Sequence, residues 1–362
     1  MNGDKNQLIT DVMDTPMEPN ALTENQILKL IVATGDKTSL FLLDYCCNKL
    51  SHLETVYEIV KYCLPDVGLR FRPFMLRISY GAGKGSFDNI IEIAAGIELV
   101  QISTLVIDDV LDNSSLRNGE LSVCKKWGMK QAITLGTIMS STGLNLVAEG
   151  LVRNHVLKNR LDVLQLLEQT HSEIYVGQFI DLEFEGNIDM SEQQYIEMIS
   201  KTTACFIQAP LVAGAMLWDA PPVLISQLKR IGYNLGMAYQ IRDDVIDLLG
   251  DTELTGKPKA IDVYDRKMRL PMIQALRCID SVSRSRLLEL LESKENLTTK
   301  EVEEVLDLFK QAGSIKYSIN KTKEYCLKAD ELVDTLDSEF DIMKNHLHGV
   351  SKLISYFGDE WD

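Results

Sequence analysis

Proline is scarce in this 362-residue chain: there is none between Pro73 and Pro210 and none after Pro271. Because proline interrupts helices and marks loops, both stretches can form long helices. Strict alternation of apolar and polar residues, which is typical of strands, is also missing over comparable lengths. The sequence therefore predicts an all-α fold, a single large helical bundle around a central cavity.

Other absences limit the function and the location. No apolar run reaches the roughly 18 residues of a transmembrane span, and the N-terminus lacks a basic-then-apolar signal pattern. The seven cysteines are scattered without a C-x-x-C pair, which favours reduced thiols and a cytoplasmic location. A formal net charge of −16 argues against nucleic acid or an anionic membrane as a partner.

The domain prediction follows from composition along the chain. Residues 1–22 are polar and contain Pro16 and Pro19, which predicts a mobile tail. No shift in composition marks a boundary further on, so residues 23–362 are predicted to form a single all-α domain.

Two D-x-x-D-type acidic clusters dominate the rest of the chain. Each reads D-D-x-x-D, and together they comprise Asp108, Asp109, Asp112, Asp243, Asp244 and Asp247. Residues four apart share one face of a helix, and carboxylates so close raise one another's pKa unless a cation neutralises them. Lysine and arginine are scarce in both stretches, so the counter-charge is expected not to be a side chain. Mg²⁺ prefers such oxygen ligands together with substrate phosphates. We therefore predict that all six aspartates bind metal and that the two clusters bracket a diphosphate.

The alternative for either cluster alone is a solvated acidic helix face. Aliphatic residues surround both clusters, for example Leu105, Val106 and Val110 around the first. A solvated face is not flanked in this way, so carboxylates that line a cavity in a helical bundle are the better interpretation.

With these clusters the chain resembles the trans-isoprenyl diphosphate synthases, or polyprenyl synthetases, whose fold is shared with class I terpene synthases. The resemblance extends from about Tyr62 to the C-terminal region. It implies the isoprenoid synthase type I fold, a homodimer and an allylic prenyl diphosphate as substrate. It also implies a cofactor of about three Mg²⁺ ions, for which Mn²⁺ can substitute.

The resemblance also assigns roles to residues that recur in the family's order. Arg117 and Lys201 would contact the allylic diphosphate, with Thr202 beside Lys201. The positions implied as catalytic are Asp108, Asp109, Asp112, Gln178, Lys201 and Asp243. The positions implied to bind substrate are Arg72, Gln101, Arg117, Lys201, Thr202, Gln240, Lys257 and Lys267.

The isopentenyl diphosphate pocket departs from the family pattern. The family has G-G-K-R-x-R-P, and here Arg72 is kept while Leu69 occupies the lysine position. Asn118 occupies the position of the second arginine in R-R-G, although Gln101 matches the family. Two lost charge-assisted bonds would cost about 3–6 kcal/mol. An inward turn of Arg70 would recover part of this.

Three functions follow from these matches and departures. The first is a prenyltransferase that joins an allylic cation to isopentenyl diphosphate. The second is a terpene synthase that cyclises or quenches the cation without isopentenyl diphosphate. The third, a non-catalytic scaffold subunit, has no use for six converging carboxylates.

Chain length is predicted from the turn before the first cluster. Ser103 and Thr104 lie five and four residues before Asp108, and the family places bulky aromatics near there to limit chain length. With two small residues, the cavity is expected to admit a tail of about C20 or longer. The alternative is that Val100, Leu99 or a residue of a facing helix forms the floor of the cavity, that is, closes its end and limits the length of the tail.

Overall fold

The structure, a computed structural model, describes residues 23–64, 70–250, 259–293 and 297–358. The predicted tail 1–22 and the positions Leu69 and Lys257 lie outside these residues. Within them the chain is helical almost throughout, and the all-α prediction is confirmed.

The helices of the first half are α1 Glu24–Leu50, α2 Glu54–Cys63, α3 Phe71–Ala82, α4 Ile91–Leu111, α5 Val123–Trp127, α6 Met129–Arg153 and α7 Arg160–Glu183. Those of the second half are α8 Glu192–Ile199, α9 Cys205–Met216, α10 Pro222–Leu249, α11 Ile261–Tyr264, α12 Leu270–Cys278, α13 Ser281–Glu292, α14 Thr299–Ala312, α15 Ser314–Asp334 and α16 Asp341–Ser355. Short 3₁₀ turns occupy Phe87–Asn89 and Ser338–Phe340, and a π-helix occupies Ser200–Ala204.

The described residues group into two compact units. Of the described residues, those up to His171 together with Ile207–Arg230 and Leu332–Val350 form the first unit, and those within Ser172–Phe206, within Ile231–Glu331 and from Ser351 onward form the second. The single domain expected for residues 23–362 stays a prediction. Within the described residues, no helix is both long and apolar enough to cross a membrane.

In the first unit, close packing of α4 against α6 fixes the helix that carries the first acidic cluster. A Cβ on Gly96 would lie 2.5 Å from the carbonyl oxygen of Gly143, and one on Gly143 would lie 2.7 Å from that of Gly96. Only glycine lets two backbones come this close. Buried apolar residues such as Leu99, Leu135 and Leu146 fill the interior around this contact.

A two-stranded hairpin follows the first cluster. Strand β1, Leu116–Arg117, pairs antiparallel with β2, Glu120–Leu121. The loop residues Asn118 and Gly119 have φ values of 52° and 81°, as a two-residue type I′ turn requires. The Ser122 hydroxyl donates to the carbonyl of Ser114 at 2.6 Å, which closes the base of the hairpin.

In the second unit, the π-helix Ser200–Ala204 is approached closely by two helices. A Cβ on Gly177 of α7 would lie 2.7 Å from the backbone nitrogen of Thr202. A Cβ on Gly236 of α10 would lie 2.5 Å from the Cα of Ala204. These glycines hold the Lys201–Thr202 segment against the helices that carry Gln178 and the second acidic cluster.

Candidate active site

The first acidic cluster lies at the C-terminal end of α4. Asp108 and Asp109 are in the last turn, and Asp112 caps the helix with its N–H on the carbonyl of Asp108. The C-terminal end of a helix carries a partial negative charge, so carboxylates are unfavourable there unless cations offset them. Three carboxylates at this place therefore indicate a site that binds positive charge.

Arg117 of β1 supplies part of that charge. Its Nη2 donates to Asp109 Oδ1 at 2.5 Å and to Asp108 Oδ2 at 3.3 Å, and its Nε donates to Asp109 Oδ1 at 3.0 Å. Burial alone would lower the pKa of Arg117, but the charges of Asp109 and Asp108 outweigh it and raise that pKa. The expectation that no side chain neutralises the cluster is therefore wrong for Asp109.

Asp108 and Asp112 differ from Asp109 in exposure. The Asp109 side chain is 3% exposed and that of Asp108 is 34% exposed, and Asp112 is also partly accessible. Two accessible carboxylates on one helical face suit Mg²⁺, which takes one or two carboxylates plus phosphate oxygens. In the described ranges no three His, Cys, Asp or Glu side chains form a complete metal centre.

The second cluster, on α10, is divided in the same way. Asp243 is exposed, whereas Asp244 is buried. Asp244 accepts hydrogen bonds from the Tyr195 hydroxyl at 2.5 Å and from Gln240 Nε2 at 2.8 Å. Burial raises the pKa of Asp244 to about 8. Only Asp243 of this pair thus presents its carboxylate to solvent.

Asp247 ties a loop to α10. Its Oδ2 accepts from the backbone N–H of Asp262 at 3.2 Å, and its carbonyl accepts from that of Ala260 at 2.8 Å. Gln240, which was expected to bind substrate, bridges Asp244 and Thr203. Its Nε2 donates to Asp244, and its Oε1 accepts from the Thr203 hydroxyl at 2.6 Å. The geometry gives Asp244, Asp247 and Gln240 roles in holding α10 and its neighbours.

Lys201 and Gln178 stand near each other through the Gly177 contact. Lys201 Nζ donates to Glu173 Oε2 of α7 at 2.6 Å, and this hydrogen bond raises the pKa of Lys201. Gln178 Nε2 is buried and has no hydrogen-bond partner in the part of the chain that the structure describes. A buried amide donor without a partner is unfavourable, so Gln178 is suited to receive a ligand oxygen.

Lys267 is held deep in the second unit. It is 3% exposed, and its Nζ lies 3.9 Å from Asp181 Oδ2. Arg269 binds both oxygens of the same carboxylate, at 2.8 and 3.2 Å. The sequence reasoning missed Arg269, although its position two residues after Lys267 was a signal. It also missed Tyr195, for which the sequence offers no signal.

The residues expected to bind the second substrate, isopentenyl diphosphate, lie in the first unit. Arg70 has φ 47° at the start of α3, and its Nη2 donates to the carbonyl of Leu64. Its Nη1 is 3.9 Å from Oε1 of Glu98, whose pKa burial raises. Arg72, partly exposed, also acts electrostatically on Glu98. Arg70 is therefore turned into the protein interior, where its contacts are Glu98 and the Leu64 carbonyl.

Ser103, Thr104 and Gln101 follow on α4. Ser103 is fully buried and donates to the carbonyl of Val100 at 2.6 Å, while Thr104 donates to that of Gln101 at 2.8 Å. Both hydroxyls are therefore satisfied by their own helix, and each position presents a small side chain. Asn118, at the hairpin turn, is exposed.

Comparison with known proteins identifies the family of this chain. Residues 53–309 match the sequence profile of the polyprenyl synthetase family. A short chain isoprenyl diphosphate synthase of Methanothermobacter thermautotrophicus is 31% identical over 284 residues, which cover 78% of this chain and 85% of that protein.

Two solved structures are similar in fold. The geranylgeranyl pyrophosphate synthetase of Pyrococcus horikoshii has a TM-score of 0.82 at 27% identity and covers 92% of this chain and 99% of its own. A polyprenyl synthase of Caulobacter crescentus, complexed with calcium and isoprenyl diphosphate, has a TM-score of 0.81 at 22% identity, with 93% and 98% covered. The chain belongs to the polyprenyl synthetase family and is a prenyltransferase enzyme with the all-α fold of prenyl synthases.

Proposed function

We propose that this enzyme ionises an allylic prenyl diphosphate and joins the cation to isopentenyl diphosphate, giving a trans-prenyl diphosphate of about C20 or longer. The observation that carries the proposal is the difference in burial among the three aspartates at the end of α4. Arg117 binds the buried Asp109 through two nitrogens and contacts Asp108 at 3.3 Å, while Asp108 and Asp112, one turn apart on the same face, are both partly exposed. The names of the similar proteins, an isoprenyl and a geranylgeranyl synthase, support the reaction and the length.

The donor set fits Mg²⁺. Asp108, Asp112 and Asp243 are the accessible carboxylates of the two clusters and would hold the ions. Bound Mg²⁺ would stabilise the negative charge that builds on the diphosphate as its carbon–oxygen bond breaks. Asp109, Asp244 and Asp247 were also predicted to bind metal; we propose instead that they position these ligands through Arg117, Tyr195 and the Ala260–Asp262 loop.

The remaining polar residues bind the substrates and orient them. Lys201 and Arg117 supply positive charge for the allylic diphosphate, and Lys267 does so from its buried position. The Gln178 amide would donate to the substrate, since it lacks a partner among the described residues. Arg72 and Gln101 would bind isopentenyl diphosphate. No side chain of this set needs to form a covalent bond: the double bond of isopentenyl diphosphate captures the allylic cation, and the new cation then loses a proton to the released diphosphate.

A terpene synthase is the second candidate, and Arg70 favours it. Since Arg70 is buried against Glu98 and the Leu64 carbonyl, it does not replace the cation absent at Leu69. Such an enzyme would release diphosphate and a hydrocarbon or alcohol from the allylic substrate alone. The homodimer, the count of metal ions, the use of Mn²⁺ and the cytoplasmic location stay predictions.

One set of incubations tests both functions. Purified protein is supplied with Mg²⁺ and allylic diphosphates of increasing length, with and without isopentenyl diphosphate, and products are read by mass spectrometry. Elongated diphosphates that form only with isopentenyl diphosphate support the proposal. Hydrocarbons or alcohols formed equally without it would support the terpene synthase instead.

Variants assign the metal ligands. Asp108→Ala and Asp243→Ala should lower turnover by orders of magnitude because they remove transition-state charge stabilisation. Asp307→Asn, at a side chain 74% exposed on α14, is the control and should leave turnover unchanged. Full activity of the wild type in excess EDTA would contradict the metal requirement.

A further inference from the structure

A buried arginine of the first unit has no carboxylate partner among the described residues. Arg77 lies on α3 and is 8% exposed. Its Nη1 donates to the Thr34 hydroxyl of α1 at 2.7 Å, and its Cζ lies 5.9 Å from the centre of the Phe87 ring. Its Nε and Nη2 form no hydrogen bond or ion pair with another residue that the structure describes. One edge of the guanidinium, with a donor on each of these two nitrogens, is therefore unused by the described part of the protein.

Two other buried arginines show what Arg77 lacks. Burial alone would lower the pKa of Arg117 and of Arg269, but the charge of Asp109 acts on the first and that of Asp181 on the second, and both pKa values are raised. Burial lowers the pKa of Arg77 to about 10, and no carboxylate opposes it. Arg77 still carries its charge at neutral pH, and an unpaired buried charge is strongly unfavourable. A bound anion would supply the missing counter-charge.

His346 of α16 packs against the same helix. Its ring centre is 6.0 Å from that of Phe74, which lies one turn before Arg77, and the charge of Arg77 acts on it. The Nδ1 atom contacts the Ile342 carbonyl, which can only accept, so Nδ1 carries the proton and Nε2 of the neutral ring is an acceptor. Nε2 is buried and has no hydrogen-bond partner in the described ranges. Arg77 thus offers unused donors, and His346 offers an unused acceptor.

An oxyanion that also carries a hydroxyl matches both groups. Two of its oxygens fit the Nε–Nη2 edge of a guanidinium, which binds oxyanions through two parallel hydrogen bonds. Its hydroxyl can donate to a neutral imidazole nitrogen. Inorganic phosphate keeps at least one hydroxyl at neutral pH, whereas sulfate and chloride have none. The chemistry of the two side chains therefore favours phosphate over the other common anions.

We propose that Arg77 and His346 form a binding site for hydrogen phosphate, in which Arg77 binds two of its oxygens and His346 accepts from its hydroxyl. The site uses none of the residues assigned to the substrates or to the metal ions. The inference is therefore independent of the proposed function. Phosphate bound there would neutralise Arg77 and stabilise the packing of α3 against α16.

The test is binding of inorganic phosphate to the full chain near neutral pH, measured by calorimetry in EDTA so that no divalent cation loads the aspartate clusters. Arg77→Met removes the guanidinium and both of its bonds to phosphate, and it should raise the Kd about a hundredfold or more. Arg153→Met, at a side chain 65% exposed on α6, is the matched control and should leave the Kd unchanged. Lys201→Gln should also leave it unchanged, because Lys201 belongs to the proposed diphosphate site.

Sulfate tests the part assigned to His346. The wild type should bind sulfate about tenfold more weakly than phosphate, since one hydrogen bond is lost. His346→Leu removes the acceptor, so it should raise the Kd for phosphate about tenfold and abolish the preference over sulfate.

Denaturant titration gives a second readout. Phosphate should raise the unfolding midpoint of the wild type above that in sulfate at equal ionic strength, because a ligand that binds only the folded chain stabilises it. Arg77→Met should show no such difference. If Arg77→Met does not fold, Arg77→Lys keeps the charge but loses the two-donor edge, and its Kd should lie between the values expected for the wild type and for Arg77→Met.

Three results would overturn the site. The first is a wild type that does not bind phosphate in EDTA. The second is a folded Arg77 variant that binds phosphate as tightly as the wild type. The third is a loss of binding in Lys201→Gln, which would place the phosphate at the diphosphate site. Equal affinities of the wild type for phosphate and sulfate would refute the role of His346.

Discussion

At the scale of single residues, neighbouring aspartates differ in their burial and in their partners. Asp108 and Asp109 are adjacent in sequence, yet one is partly accessible and the other is buried against Arg117. Asp243 and Asp244 repeat this contrast, with Tyr195 and Gln240 on the buried member. The pattern in the sequence predicts the six carboxylates but not this division, because adjacent residues on a helix point in different directions and their partners come from distant segments.

Ser103 carries a prediction about chain length. The residue is fully buried on α4 and small, so Ser103→Phe should place a ring in the path of the prenyl tail and shorten the main product. Product lengths are measured by chromatography of dephosphorylated products. Ser103→Ala removes only the hydroxyl that donates to Val100 and is the control with unchanged lengths. Unaltered products from a folded Ser103→Phe would place the floor elsewhere, at Val100, Leu99 or a facing helix.

At the scale of secondary-structure elements, α4 depends on its contact with α6. In Gly143→Ala the new Cβ would lie 2.7 Å from the Gly96 carbonyl and 2.9 Å from Val100 Cγ2. Overpacking of this kind should lower the free energy of unfolding by about 1–3 kcal/mol, measured by denaturant titration. Ser141→Ala introduces the same residue on the exposed face of α6 and should be neutral or slightly stabilising. Equal stability of the two variants would show that α4 and α6 can separate at little cost.

The secondary-structure elements also show which parts of the fold can be predicted from the sequence. The proline-poor stretches predict the long helices correctly, because the helical hydrogen bonds are local. Asn118-Gly119 is a usable hairpin signal in the sequence, since both residues tolerate positive φ. Pro210 lies inside α9, so a proline does not end every helix. The π-helix at Ser200–Ala204 depends on contacts with Gly177 and Gly236, which no local pattern contains.

At the scale of the whole molecule, a buried histidine links stability to pH. His346 on α16 is 1% exposed, and its Nδ1 bonds the Ile342 carbonyl at 2.5 Å. Burial lowers the pKa of His346, and the charge of Arg77, which lies on α3 and donates to Thr34, lowers it further. The folded protein thus keeps His346 neutral at a pH where the unfolded chain binds a proton. Stability is fully present above the ordinary histidine pKa of about 6.5 and is lost as the pH falls below it.

His346→Leu tests this linkage. The variant should lose the part of the pH dependence that arises below about pH 6.5, which for one proton is at most about 1.4 kcal/mol per pH unit. His52→Leu, at an exposed histidine after α1, is the control and should keep the dependence of the wild type. The measurement is the free energy of unfolding by denaturant at several pH values. Parallel curves for wild type and His346→Leu would contradict the assignment.

The π-helix has a consequence for how this chain tolerates insertion and deletion. A π turn holds an extra residue relative to an α turn, so Lys201 and Thr202 lie in a segment whose register is shifted from a regular helix. Removal of a single residue there would restore α geometry and rotate everything on one side by about 100° about the axis. Lys201 would then turn away from Glu173, although the composition and length of the chain would be almost unchanged. Single-residue deletions in Ser200–Ala204 should therefore be far more damaging than most substitutions.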